Sequence, residues 1–280
     1  GGAGQNVGDQ RRVYLQFGNE NLGTFKFGRD VGLFGQNAIF NDMSLVAVGG
    51  GSGFNGALNT TLGSIGQGYI YTAFKPQISY ASPAIGNLQL SGGLFQYERP
   101  FAQGTAIQAA ETDSTSFQGM ATYKLETGKL WAAFVQQADA SNTDDLLGYE
   151  VGGTVGFGNL QLTTNIFAGE GVGTGIIGLG GFDGTGRARD SDGYLVQATY
   201  KVGDTKFGIN YGSSSLDRNT ADIGTEILKE NNQMVLGVYH SLTPSLTLAG
   251  EYITGEQEYQ GGNTAKGEAN TIAVGAILFF

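Results

Sequence analysis

The sequence predicts an all-β fold, an antiparallel β-barrel that crosses a membrane with strands. Three observations predict it. Apolar residues recur at every second position in segments of about ten residues. Tight turns alternate with long polar connections. No apolar run approaches the roughly 18 residues of a spanning helix. A barrel turns only alternate side chains to lipid, so a composition of 40% hydrophobic residues suffices for it.

Composition narrows the function classes. Glycine is the outlier at 49 of 280 residues, with only 4 prolines, which excludes collagen-like and proline-rich disordered chains. With no cysteine there is no disulfide framework, thiolate metal site or cysteine nucleophile. The formal charge of −10 argues against a nucleic-acid partner, because phosphate binding needs clustered Lys and Arg. The start, Gly1-Gly2-Ala3-Gly4, has neither the basic region nor the apolar core of a leader, so it reads as mature sequence or a fragment.

The expected strands, in order, are residues 11–18, 23–29, 67–81, 87–97, 114–125, 129–138, 148–157, 159–168, 192–202, 205–213, 231–241, 246–254 and 269–280. Their alternation is explicit. Leu160, Leu162 and Ile166 share one face against Gln161, Thr163 and Asn165. Tyr194, Val196, Ala198 and Tyr200 oppose Leu195, Gln197, Thr199 and Lys201, and Phe207, Ile209 and Tyr211 oppose Lys206, Gly208 and Asn210. A soluble antiparallel sandwich also alternates. Strand length, alternating short and long connections, and aromatics near strand ends (Tyr123, Trp131, Tyr149, Phe157) favour the membrane. The last strand carries Ile272, Val274, Ala276, Leu278 and Phe280 on one unbroken apolar face.

This ending resembles bacterial outer-membrane β-barrels, in which such a strand with a terminal aromatic marks the chain for assembly. The resemblance makes Phe280, Leu278 and Ala276 an expected assembly signal. Near the start, Arg12-Val13-Tyr14-Leu15-Gln16-Phe17-Gly18 and Leu22-Gly23-Thr24-Phe25-Lys26-Phe27-Gly28-Arg29-Asp30 resemble the proteobacterial general porins, as does Ile78-Ser79-Tyr80-Ala81-Ser82-Pro83. That family implies a sixteen-stranded barrel, a homotrimer and a third outer loop folded into the pore between strands five and six. Counting back from Phe280 makes residues 11–18 strand four and puts the longest connection, 30–66, at the constriction loop. The expectation is therefore one barrel domain over 1–280, short of its first three strands. An open sheet would leave unpaired edges in lipid.

The 30–66 segment holds Ile39-Phe40 and Ser44-Leu45-Val46-Ala47-Val48, which packing against an inner wall would explain, followed by Gly49-Gly50-Gly51-Ser52-Gly53. Pairing the first hairpin with Val13 opposite Phe27 and Leu15 opposite Phe25 turns Arg12, Tyr14, Gln16, Thr24 and Lys26 to the lumen. The resemblance also places Arg29 at the constriction, which strict alternation allows only with a twist or bulge at Gly28. The only acids of the segment are Asp30 and Asp42, so the field facing Arg12 and Lys26 is expected to be weak.

The function these readings imply is passive diffusion of small hydrophilic solutes and ions through an outer-membrane pore, with no catalysis and no cofactor. A substrate-selective anion or small-solute channel and a structural or adhesive barrel are the alternatives. Expected partners are two further copies of the chain, outer-membrane lipid and lipopolysaccharide, and the barrel assembly machinery. The long connections hold most of the acidic residues, and these could bridge to lipopolysaccharide through divalent cations. They would attract cations while the inner patch favours anions, which leaves selectivity open. Lys124, Lys129, Lys201 and Lys206 flank tight turns and read as snorkelling to the interface. Gly169-Glu170-Gly171-Val172-Gly173 lacks the following helix of a nucleotide site. Asp183, Asp190 and Asp192 match no EF-hand spacing, and His240 reads as a strand-end polar residue.

Overall fold

The computed structural model describes residues 11–45, 63–97, 114–138, 142–261 and 266–280. Thirteen strands form one sheet: β1 (Val13–Asn19), β2 (Gly23–Val31), β3 (Phe74–Ala81), β4 (Leu88–Gln96), β5 (Thr115–Leu125), β6 (Gly128–Gln137), β7 (Leu146–Phe157), β8 (Leu160–Glu170), β9 (Asp190–Val202), β10 (Thr205–Leu216), β11 (Ile227–Ser241), β12 (Leu246–Gln260) and β13 (Lys266–Leu278). Each pairs antiparallel with the next, and β1 and β13 are the edges among the described residues. One short helix, α1 (Gln36–Asn41), lies between β2 and β3.

The two faces invert the usual order of a soluble protein. On one face Val13, Leu15, Phe17, Phe25, Leu162, Ile166, Val196, Phe207, Ile209, Leu236 and Tyr252 are exposed, and Ile272 and Val274 reach 80% and 81%. The other face buries Gln77, Gln118, Glu150, Asn165, Gln197, Asn210 and Gln233. So much contiguous apolar exposure is unstable in water and is what hydrocarbon requires. The apolar face is thus the outside of the barrel wall and the polar face its lumen. Replacing Val274 by Arg is expected to cost about 2–4 kcal/mol if the residue sits near the bilayer midplane. Urea unfolding in lipid vesicles measures this. Thr271→Arg, on the lumen face, should cost far less; equal losses would reverse the assignment of faces.

The first hairpin is displaced by two residues from the expected register. Val13 pairs with Arg29, Leu15 with Phe27 and Phe17 with Phe25. The cause is the turn. The Asn19 side-chain oxygen accepts from the backbone N–H groups of Asn21 and Leu22, each at 2.9 Å, which extends the turn to Gly23. A slip of two preserves the faces. The Phe17 ring stacks on both Phe25 and Phe27 with centroids 5.7 Å apart, on the lipid side.

A second difference concerns the long connection. β2 runs on through Asp30 to Val31, and β3 starts at Phe74, not 67. Residues 67–73 alternate too weakly to be a strand. Tyr69 and Ile70 are both buried although adjacent, and Ala73 turns the chain with φ 53. The connection is therefore 32–73. Val46-Ala47-Val48 and the glycine run after it lie outside the described residues.

Candidate functional site: the lumen wall and its inner loop

The β1–β2 hairpin brings three of the expected residues together. Arg12 Nε donates to Asp30 Oδ1 at 2.7 Å, and Lys26 Nζ donates to Asp30 Oδ2 at 2.5 Å. Lys26 reaches Asp30 because alternate residues share a face and a twisting strand brings the next-but-one within a long side chain's length. Asp30 is fully buried while the Arg12 side chain remains 58% exposed. The Tyr14 ring lies beneath both cations, 4.8 Å from Lys26 Nζ and 5.6 Å from the Arg12 guanidinium carbon. The patch is basic by one charge, since Asp30 offsets one of its two cations.

Arg29 and Asp42 are placed elsewhere. Pairing of β2 with β1 and β3 passes through Gly28 without a register shift, although Gly28 has φ 124. Arg29 therefore keeps the parity of Val13 and Phe27, and the bulge that would turn it to the lumen is absent. Asp42 lies across the lumen against β10, buried. Its Oδ1 accepts from Ser44 N–H (2.9 Å), Ser44 O–H (2.6 Å) and Asn210 Nδ2 (3.3 Å). Its Oδ2 accepts from Ser64 N–H (2.8 Å) and the Tyr69 hydroxyl (2.7 Å). Burial, then the nearby Asp42 charge, hold the Tyr69 phenol well above its ordinary pKa. Asp42 is thus the knot of the inner loop, and it faces no Arg12 or Lys26.

The loop is fastened to the wall in two ways. Apolar side chains supply one. Phe34 is buried among Ala133, Val135, Leu146, Phe167 and Ile177, and Ala38 and Ile39 pack with Ile65, Tyr69 and Leu195. Met43 packs on Val235 and Ile253, over Gly208, where a Cβ would stand 2.2 Å from the Met43 sulfur. Glycine on this inner position of β10 leaves the room the loop occupies. Side chains of the wall that bond to the loop's backbone supply the other. Gln118 Oε1 accepts from Leu33 and Phe34 N–H, and Glu150 Oε1 accepts from Gly35 N–H. Gln197 accepts from Met43 N–H and donates to Asn41 C=O. Ser214 accepts from Gly68 N–H, and Asn231 donates to Gly66 C=O. These anchors span β5 to β11, so the sheet curls around the loop. The loop crosses the space the sheet encloses. Phe40, 59% exposed, remains on its open side.

The four lysines beside the tight turns also face inward. Lys124 pairs with Lys129 next to Thr122 and Trp131, and Lys201 pairs with Lys206 next to Thr199 and Gly208, all lumen positions. Lys129 Nζ donates to Asn37 Oδ1 on the loop at 2.6 Å, and Lys206 Nζ lies 4.5 Å from the Tyr239 ring centre. This corrects the reading of them as lipid-interface anchors. His240 accepts or donates through Nδ1 to Thr205 Oγ1 at 2.9 Å, at a strand end.

At the opposite end the long connections carry a buried ion pair that the sequence reading missed. Arg189 forks Asp222 through Nε (2.8 Å) and Nη2 (2.5 Å), while Nη1 donates to the carbonyls of Gly180 and Phe182. Asp183 accepts from Thr185, Arg187 and Asn219, closing the same cluster.

Comparison with known proteins agrees with this architecture. The family model described as Gram-negative porin matches residues 1–260. The outer-membrane channel DcaP of Acinetobacter baumannii is 15% identical with a TM-score of 0.64, over 91% of this chain and 71% of that one. An anion-selective porin from Comamonas acidovorans is 15% identical with a TM-score of 0.63, over 96% and 78%. OmpT of Vibrio cholerae, in its trimer form, is 16% identical with a TM-score of 0.57, over 93% and 78%. Among curated proteins no sequence matches.

Proposed function

Because this chain belongs to the Gram-negative porin family, we propose that the space between its inner loop and the β1–β2 hairpin is the narrowest part of a passive pore. The protein is an outer-membrane β-barrel channel. Small hydrophilic solutes and ions pass through it down their gradients, with no catalytic step. The observation that carries this reading is a polar inner wall crossed by a loop, inside an outer face fit only for lipid. In the constriction, Arg12 and Lys26 present positive charge partly offset by Asp30, while Asp42 sets the position of the loop.

Three copies assemble, each with its own pore; the trimer form of the similar OmpT supports this. The Phe280, Leu278 and Ala276 face is the assembly signal read by the barrel machinery. Carboxylates of the long connections bridge through divalent cations to lipopolysaccharide, so chelation should strip bound lipopolysaccharide. Retention unchanged by chelation would contradict that contact.

Single-channel recording from the purified, folded protein in a planar bilayer tests the main reading. Large current steps that close in threes are expected. Folded protein without conductance would overturn it in favour of a plugged, structural barrel. Asp30→Asn should raise the anion-to-cation permeability ratio by about twofold at low salt, since the patch gains one net positive charge at the narrowest point.

A further inference from the structure

Two pairs of lysines stand directly opposite each other on the lumen face, Lys124 with Lys129 and Lys201 with Lys206. Like charges at opposed positions of a ladder are destabilising, so a wall built only for stability would not hold two such pairs. No ion pair joins any of the four to a carboxylate among the described residues. Two carboxylates, Asp42 and Glu251, act on Lys206 through space and offset part of its charge, and neither forms an ion pair with it. Asp42 accepts from Tyr69, and Glu251 accepts from the Tyr239 hydroxyl at 2.5 Å. The acids in the turns at this end, Glu20, Glu126 and Asp204, number three against the four lysines and lie outside the paired positions.

The opposite end has the opposite sign. Among the described residues its connections carry Asp144, Asp145, Asp183, Asp217, Asp222 and Glu226 against Arg187, Arg189 and Arg218. The channel is thus polarised along its axis, acidic at the long-loop mouth and basic at the tight-turn mouth.

We propose that the two lysine pairs form a collar that gathers small inorganic anions at the tight-turn mouth, and that the axial asymmetry of charge makes the channel rectify. This rests on the diffusion-pore reading. The physical reason is general. A pore with fixed charges of opposite sign at its two ends fills with both ions under one polarity and empties of both under the other. The effect requires a screening length comparable with the lumen, about 10–30 Å between 0.1 and 0.01 M salt, and disappears at 1 M, where it is about 3 Å.

The experiment is single-channel current against voltage in potassium chloride, symmetric at about 0.03 M and at 1 M. The expected result at low salt is about twofold more current at one polarity than at the other, and a straight line at 1 M. Lys201→Gln with Lys206→Gln should remove about half of the asymmetry, and the fourfold Gln variant nearly all of it. Lys201→Arg with Lys206→Arg keeps the charge and should keep the asymmetry. The Lys201 and Lys206 variants matter most, because Lys129 also touches the loop and its loss can move Asn37. Should the fourfold variant fail to fold, this pair decides alone. A linear relation at low salt in the unaltered channel overturns the proposal, as does an asymmetry that the Gln substitutions leave unchanged or that the Arg substitutions abolish. Absence of any channel would instead reject the pore reading on which it rests.

Discussion

Replacing Asp42 by alanine is expected to release the inner loop from the wall and to make the open channel wider and noisier. All the groups bound to Asp42 are donors: Ser44 N–H and O–H, Asn210 Nδ2, Ser64 N–H and the Tyr69 hydroxyl. Hydrogen bonds to a charged acceptor contribute about 1.5–3 kcal/mol each, and losing the carboxylate leaves buried donors with no partner. Asparagine should do almost as much damage as alanine, because its amide would aim two hydrogens at donors. Tyr69→Phe, which removes one donor and leaves the acceptor, should be mild. Mean conductance and current noise measure the series. A quiet channel of unchanged size in both Asp42 variants would show that Phe34, Ile39 and Met43 hold the loop without the knot.

The second large effect is expected at Arg189. Its loss leaves Asp222 buried without its cation, and breaking such a pair from one side costs about 3–5 kcal/mol. The cost falls on the connections 171–189 and 217–226, not on the barrel wall, so the readout is protease nicking of those connections with the barrel intact. Arg189→Lys should rescue little. Lysine cannot fork Asp222 while also donating to Gly180 and Phe182. The pH dependence has a definite sign. The Arg189 hydrogen bonds hold the Asp222 carboxyl below the usual carboxylate range, and those from Thr185, Arg187 and Asn219 do the same for Asp183 against the opposing effect of burial. A depressed carboxyl stabilises fully above its unfolded value of about 4 and ceases to do so as pH falls through its folded value. Pepsin sensitivity of these connections should thus appear only in strong acid. In Arg189→Ala the connections should already be open to protease at neutral pH and should gain no further sensitivity from Asp222 in acid. Identical acid profiles for the two proteins would remove the ion pair from this role.

Much of this was legible in the order of residues. Period-two alternation places thirteen strands and assigns their faces, because lipid and water impose opposite demands on successive side chains. It even contained the inward lysines: Lys201 and Lys206 alternate against Tyr200 and Phe207, and only the proximity of turns suggested a snorkelling role. The register of the first hairpin was hidden in the Asn19 turn, whose side-chain bonds lengthen it without altering the pattern. The segment 67–73 imitates a strand because Gly68, Ile70 and Thr72 alternate, while burial of both Tyr69 and Ile70 comes from the loop's position in the lumen. The contacts of Gln118, Glu150, Gln197 and Asn231 with distant backbone could not be read at all. A polar residue at an inner position announces that it faces the lumen and nothing about which N–H or C=O will meet it. Asp42 was visible as a rare acid, but its role depends on Ser64 and Tyr69 returning to it after more than twenty residues.

The way the wall holds the loop has a consequence for how such a channel can diversify. Gln118, Glu150, Gln197, Ser214 and Asn231 grip peptide groups, which are the same whatever side chain is attached. Position is thereby freed from sequence on the open side of the loop, while Gly35 and Gly68, where a Cβ would meet backbone oxygen at 2.2 Å, and the buried Phe34 and Met43 stay fixed. A residue on its open side, such as Phe40, can drift from aromatic to charged to small while the main chain stays where it is. The scaffold can thus be kept constant while the bore is revised one substitution at a time, so new permeabilities lie within a single mutational step of a folded protein.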